Sequence, residues 1–371
     1  MDFNDILEMM VRRKASDLFI TADVPPSLKI HGRLSPVSKT RLDAAQTREL
    51  TLALMTPEQR EEFLHTKECN FAFSAKKIGR FRVSAFVQRD AIGMVLRRIE
   101  THIPSFEELG LPPPLHDLAM TNRGIVFFVG ATGTGKSTSL AAMVGYRNQN
   151  STGHIISIED PIEFLHNHAG CIVTQREVGI DTESYEVALR NTLRQAPDVI
   201  LIGEIRTREA MEYAITFAET GHLVLTTLHA NNAYQAIDRM LHFFPEEQHE
   251  QILMDLSLNL RGIVAQQLVR RPDGKGRRAI MEVLLNTPLV SDLILKGEVH
   301  KLKALMKRST EHGMVTFDQA LYDAFRRGDI TQEDALRHAD SSNEVRLMIK
   351  LGDTSPNSLS RSAGQLRMSD P

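Results

Sequence analysis

The 371-residue sequence has no tryptophan, only two cysteines and almost no net charge, with 44 lysines and arginines against 47 aspartates and glutamates. Cys69 and Cys171 lie far apart and near no histidine pair at finger spacing. A disulfide framework and a four-cysteine zinc site are therefore excluded, and a reducing, cytosolic compartment fits. A formal charge of −3 supplies no overall pull toward nucleic acid or anionic lipid, so any such contact needs a local patch. Long apolar runs are also missing: the longest, Ile125 to Val129 with flanking small residues, is far too short to span a bilayer. The opening MDFNDILEMMVRR is acidic where a cleavable signal peptide begins with cations. What is present, 42% apolar residues over this length, describes a globular chain of about two domains. Its charge is uneven. Residues 1–100 hold 17 basic and 13 acidic side chains and the remainder 27 and 34, so the two parts can attract each other between neighbouring subunits.

The pattern along the chain predicts a small α+β domain over residues 1–100. Asn4 to Arg13 places Ile6, Leu7, Met10 and Val11 on one helical face, and Asp17 to Thr21, Ser27 to His31 and Arg33 to Val37 read as strands. Thr56-Pro57-Glu58-Gln59 forms a capping box that opens a helix. Phe71 to Ser74, Arg80 to Gln88 and Gly93 to Ile99 alternate polar with apolar residues and lack the crossover helices of a parallel sheet, so an antiparallel sheet is expected. Residues 101–121, with Pro104 and Pro112-Pro113-Pro114 around a short Ser105 to Leu109 helix, read as an interdomain linker. From Gly124, strands Ile125 to Val129, Ile155 to Ile158, Val199 to Ile202 and Leu223 to Leu228 alternate with helices Lys136 to Gln149, Tyr185 to Arg194 and Arg208 to Glu219. That alternation indicates an α/β domain, residues 122–345, built on a mainly parallel sheet. Residues 245–340 read as mostly helical, including Thr316 to Arg327 and Thr331 to Ala339, and residues 346–371 read as a disordered tail.

The strongest local signal is Gly130-Ala131-Thr132-Gly133-Thr134-Gly135-Lys136-Ser137, followed by Thr138, set between an apolar strand and a helical stretch. It matches the phosphate-binding G-x-x-x-x-G-K-[ST] loop. Small residues let successive N–H groups face phosphate oxygens, Lys136 brings a cation to the β and γ phosphates, and Ser137 offers a hydroxyl to Mg2+. The strand Val199 to Ile202 ends in Gly203-Glu204, the place of a second acidic group beside Mg2+. The usual aspartate is glycine, so Glu204 is expected to act alone, through a metal-bound water or on the attacking water. Between these lie Glu159, Asp160 and Glu163 around Pro161, at a strand end where ligands of open α/β sheets bind. They are either a source of the water-activating base or a solvated acidic turn. His222 and His229 flank Leu223 to Leu228 on opposite faces, which excludes a simple metal pair. Each is either a γ-phosphate donor at a strand end or a structural histidine.

GATGTGKST, IEDPIEF, GEIR and TGHLVLTTLHANNA, in this order and spacing, resemble the secretion ATPase superfamily, the ring motors of type II and type IV secretion and of type IV pili. GRFRVSAF, FEELGLP, QREVG and LRQAPDVI are similar to its short pilus retraction branch, the PilT/PilU type. The principal retraction ATPase of this branch has AIRNLI after a Thr-Pro pair; here Thr287-Pro288 is followed by Leu289-Val290-Ser291-Asp292-Leu293-Ile294, a departure that resembles the accessory retraction ATPases. The resemblance implies a PAS-like N-terminal domain, a RecA-like P-loop ATPase domain and a homohexamer. It further implies ATP and Mg2+ as ligands and a site at the cytoplasmic, inner-membrane base of the pilus machine. The implied partners are the principal retraction ATPase and the inner-membrane platform protein, with only peripheral membrane association. By position it implies that Lys136 and Ser137 bind phosphate and Mg2+, that Glu204 is the second acidic motif and that Glu163, with Glu159 behind it, is the catalytic base. His222 and His229 become the histidine box, and Arg82 and Arg97 the arginines that reach the phosphates. Two rivals stand beside a retraction motor. A nucleic-acid translocase is disfavoured by the acidic balance and the absence of an aromatic series beside a basic groove. For a nucleotide-gated accessory ring, the intact Lys136, Ser137, Glu163 and Glu204 argue against lost catalysis but not against dependence on a partner ATPase.

Overall fold

The computed structural model describes residues 2–30 and 32–353, which fall into two compact units. The first is Met1–His102 together with Ile162–Leu165, and the second is Ile103–Pro161 together with His166–Pro371.

In the first unit a helix Phe3–Arg12, opened by an Asp2 and Asp5 capping box, buries Ile6, Leu7 and Met10. Strands β1 (Asp17–Ile20), β2 (Ser27–Ile30), β3 (Arg33–Pro36), β4 (Glu68–Ala75), β5 (Gly79–Gln88) and β6 (Ala91–Arg98) form one sheet in the order β3-β2-β1-β6-β5-β4. Every neighbouring pair is antiparallel, as the alternation required. One face is closed by a core that includes Leu18, Leu28, Phe71, Phe81, Val83 and Leu96. The Thr56 capping box with Gln59 is present, and Asp43 opens a further helix, Ala44–Ala53, in the same way.

The second unit is built on β7 (Gly124–Val129), β8 (Gly153–Glu159), β9 (Cys171–Glu177), β10 (Val199–Ile202), β11 (Leu223–Leu228), β12 (Leu260–Arg270) and β13 (Arg277–Leu285). They lie in the order β13-β12-β7-β11-β10-β8-β9, all parallel except the β12–β13 pair. Helices cover both faces. Along β7, Ile125, Phe127 and Val129 enter one core, while Val126 and Phe128 enter the other. A strand buried on both sides reads as a continuous apolar run.

Three expectations change. Residues 260–285 are not helical but form the β12–β13 hairpin, because a strand buried on both faces loses the alternation that distinguishes it from a buried helix. The stretch 101–121 is no free linker from Ile103 onward: Phe106, Leu111, Leu115, Leu118 and Ala119 are core residues, and the buried Arg147 guanidinium donates to the carbonyls of Ala119 and Thr121 at 3.0 and 2.6 Å. Residues 346–353, placed in a disordered tail, belong to helix Ser342–Asp353, and the rest of that expected tail, 354–371, lies outside the described residues. Among the described residues no helix is long and apolar enough to cross a membrane.

Candidate functional site

The phosphate loop follows directly from β7 and opens the helix Lys136–Asn150. Gly130 and Gly135 have φ of +154° and +84°. A Cβ on Gly130 would sit 2.6 Å from the Gln266 carbonyl oxygen and 2.7 Å from Thr134 Oγ1, and one on Gly135 would sit 2.9 Å from Gln266 Nε2. The loop is thus curled too tightly for side chains at either position. No side chain caps the helix, which leaves its first-turn N–H groups directed at a ligand. Lys136 is 8% exposed, and its ammonium donates to the carbonyls of Gly130 at 2.8 Å and Ala131 at 3.0 Å. This cradle fits the phosphates of a nucleotide.

Gln266, which the sequence offers no signal to find, holds the loop from beneath. The register sets Ala265 of β12 beside Val129, so the next residue reaches the loop. Its buried carboxamide donates to the Thr134 carbonyl at 2.8 Å.

Glu204 does not stand alone. Arg206 donates to its Oε2 from Nε at 2.8 Å and from Nη2 at 2.7 Å, and His229 Nε2 lies 2.9 Å from its Oε1. The other ring nitrogen of His229 is 3.2 Å from the Gly130 carbonyl. Both ring nitrogens of His229 thus face oxygen atoms, one on Glu204 and one on Gly130. His229 therefore bridges the acid at the end of β10 to the first residue of the phosphate loop. A cleft of about 430 Å³, lined by Gly130, Ala131, His229, Asn231, Gln235 and His242, opens beside this bridge.

His222 takes no part in it. It precedes β11 at the opposite edge of the sheet, about 20 Å away at the rise of an extended strand, where its Nδ1 meets the Phe217 carbonyl at 3.0 Å and Thr220 Oγ1 at 3.2 Å. The two histidines share a strand but not a site.

The acidic turn also divides. Glu159 Oε1 accepts from Ser157 Oγ at 2.7 Å and from Gln175 Nε2 at 3.2 Å. Asp160 Oδ2 lies 4.0 Å from Arg206 Nη1. Glu163 is exposed and belongs to the segment grouped with the first unit. Above Gly203 sits the Tyr185 hydroxyl, close to the Glu204 backbone. Burial raises its pKa, reinforced by the charges of Asp160 and Glu159, so it stays a neutral phenol. A Cβ on Gly203 would lie 2.9 Å from that hydroxyl and 3.2 Å from the Glu159 Cα, which is why this position holds glycine rather than the usual aspartate. Gly203→Ala is expected to cost about 1–3 kcal/mol by overpacking, read as a melting temperature several degrees lower; an unchanged melting curve would contradict this account.

In the first unit, Arg82 and Arg97 face each other across β5 and β6. Like charges directly opposite oppose sheet stability, and Arg97 is offset by the buried Asp17, whose Oδ1 accepts from its Nε at 2.8 Å.

Known proteins with this organisation were found in three independent comparisons. The family described as Type II/IV secretion system protein matches residues 1–337. The type IV pilus ATPase PilU of Pseudomonas aeruginosa is 69% identical over 355 residues, 96% of this chain and 93% of that protein. The type IV pilus retractation ATPase PilT of the same organism is 38% identical over 339 residues, 91% of this chain and 98% of that one. A crystal structure of the pilus retraction motor PilT with bound ADP superposes with a TM-score of 0.87 at 37% identity, covering 93% of this chain and 98% of that one. With a phosphate loop and a bridged acidic strand end on a sheet shared with these ATPases, the chain belongs to the type II/IV secretion system protein family.

Proposed function

We propose that the chain is a Mg2+-dependent ATPase that works as a homohexameric motor and powers or assists type IV pilus retraction at the cytoplasmic base of the pilus machine. In this reading the first unit is a PAS-like domain and the second a RecA-like ATPase domain. The observation that carries the reading is the His229 bridge, which joins the phosphate loop to Glu204 and so links phosphate binding to the acid beside the reacting phosphoryl group. Among the described residues no group of three or more His, Cys, Asp or Glu can hold a metal ion. Mg2+ would therefore be held largely by nucleotide phosphates, with the Ser137 hydroxyl and, through water, Glu204. Bound there, the ion would neutralise charge on the transferring phosphoryl group. Lys136 binds phosphate, Glu204 orients water, and Glu163 is the first choice for the base, with Glu159 already engaged within its own sheet. Arg82 and Arg97, on one sheet face, would supply guanidinium groups to phosphate in the assembled ring.

A second reading, an accessory ring acting mainly through the principal retraction ATPase, draws on the helix Pro288–Leu295. Ser291 Oγ is turned inward to the Ser257 carbonyl at 2.8 Å, and Asp292 pairs with Lys296 at 2.7 Å, so an anion stands where the principal motor has Asn in its Arg-Asn pair. This change weakens engagement of an anionic partner surface. Fluorescent pilus labelling in deletion strains separates the readings. The chain is expected to fail in a strain lacking the principal ATPase and to restore retraction when that ring is present but catalytically dead. Retraction driven by this chain alone would make it an autonomous motor, and excess surface pili without it would still mark a retraction role.

A further inference from the structure

Glu282 of β13 is 2% exposed and lies away from the phosphate loop, yet it is joined to it through very few residues. One carboxylate oxygen accepts the Ala233 N–H at 2.8 Å and the other the Phe317 N–H at 3.4 Å. These are the first residues of the helices Ala233–Leu241 and Phe317–Arg326. Both helices already have side-chain caps, Asn232 and Thr316, which serve the N–H groups of Gln235 and Gln319. Glu282 takes the earlier N–H of each, so a single buried carboxylate stands at the positive ends of two helix dipoles. Ala233 is separated from His229 only by Ala230, Asn231 and Asn232. Glu282 thus pins one end of a short segment whose other end contacts both Glu204 and Gly130.

We propose that Glu282 is a positioning residue for the hydrolysis reaction: it holds His229 in register with Glu204 and ties that register to the C-terminal helix Phe317–Arg326. The inference rests on the ATPase reading above. The charged groups acting on Glu282 are Asp340 and Lys303, and Lys303 contacts Asp340 at 2.9 Å and Asp318 at 3.1 Å. Burial pushes the Glu282 pKa up to about 7; Asp340 adds to the rise, while the two N–H groups and Lys303 oppose it. The carboxylate form accepts both N–H groups in charge-assisted hydrogen bonds, whereas protonation leaves one of its oxygens a hydroxyl, a weaker acceptor. Its contribution to turnover is therefore gained as pH rises through about 7.

The test compares the full-length wild type with Glu282→Gln, whose amide presents an NH2 to one of the two N–H donors while nearly preserving volume. Steady-state ATP hydrolysis between pH 5.5 and 9, binding of a fluorescent ADP, and hydrogen–deuterium exchange of peptides spanning 229–241 and 317–326 are measured. The variant is expected to bind ADP within about twofold of wild type, to lose about tenfold in kcat at pH 8 with KM little changed, to lack the wild-type rise in kcat near pH 7 and to exchange faster in both peptides. Wild-type kcat and pH profile in the variant would overturn the proposal. So would unchanged exchange, or parallel losses of ADP binding and turnover with the pH profile intact, which mark a merely structural role. A wild type that neither binds ADP nor hydrolyses ATP would instead fell the ATPase reading, and the exchange data would still decide whether Glu282 links the two helices.

Discussion

Lys136→Ala is expected to lower ATP turnover at least 100-fold and to weaken ADP binding as well, while the melting temperature stays close to that of the wild type. The ammonium is buried against the Gly130 and Ala131 carbonyls, at the mouth of a loop whose glycines leave room for phosphate. Alanine removes the one cation within the loop and uncovers two carbonyls that repel an anion. Transition-state charge on a phosphoryl group is stabilised by such groups at about 10² to 10³ in rate each. Its ammonium serves carbonyls of the loop, so the fold is expected to survive the change. Steady-state hydrolysis with fluorescent ADP titration and a thermal melt checks this. Turnover within tenfold of the wild type, with contaminating ATPase excluded, would remove the loop from catalysis.

Glu204→Gln is expected to differ in kind: kcat falls about 10² to 10³-fold, and ADP binding changes only severalfold. Both carboxylate oxygens are engaged, one by Arg206 and the other by His229, and both partners are donors. An amide can accept from only one of them and turns its NH2 toward the other. The bridge to Gly130 loosens, but the loop amides and Lys136, which would hold the diphosphate, remain. The split between turnover and binding is the diagnostic result. Equal losses in both would place Glu204 in nucleotide binding rather than in the chemical step.

These two residues were legible before any coordinates because each signal is local. A P-loop is one short run between a strand and a helix, and an acid after a buried apolar strand marks the carboxyl edge of a parallel sheet. The antiparallel sheet of the first unit was legible for a similar reason, since β4 buries Cys69 and Phe71 beside exposed Glu68 and Asn70, and β5 buries Phe81, Val83 and Ala85 around Arg82 and Ser84. The helix start at Thr56 is readable from its capping box, and Ser105, Thr316 and Thr331, where further helices are expected to begin, cap those helices in the structure.

The sequence by itself determined the nucleotide chemistry, the two sheet types and the family of motors to which the pattern is similar. Tertiary structure decided which of those residues meet. Parallel strand order brings His229 to Glu204 and Gly130 and carries His222 to the far edge, although the two residues are equally prominent in the sequence. The same order, through the register of β12 beside β7, brings Gln266 beneath the phosphate loop from 132 residues away. Arg206 and Tyr185 explain how Glu204 is held and why Gly203 has no side chain, and both effects depend on contacts across strands and helices. Burial on both faces hides Gln266 from any periodicity, because β12 is buried continuously from Gly262 to Gln266. Only when the chain folds back on itself does spacing in sequence become distance in space.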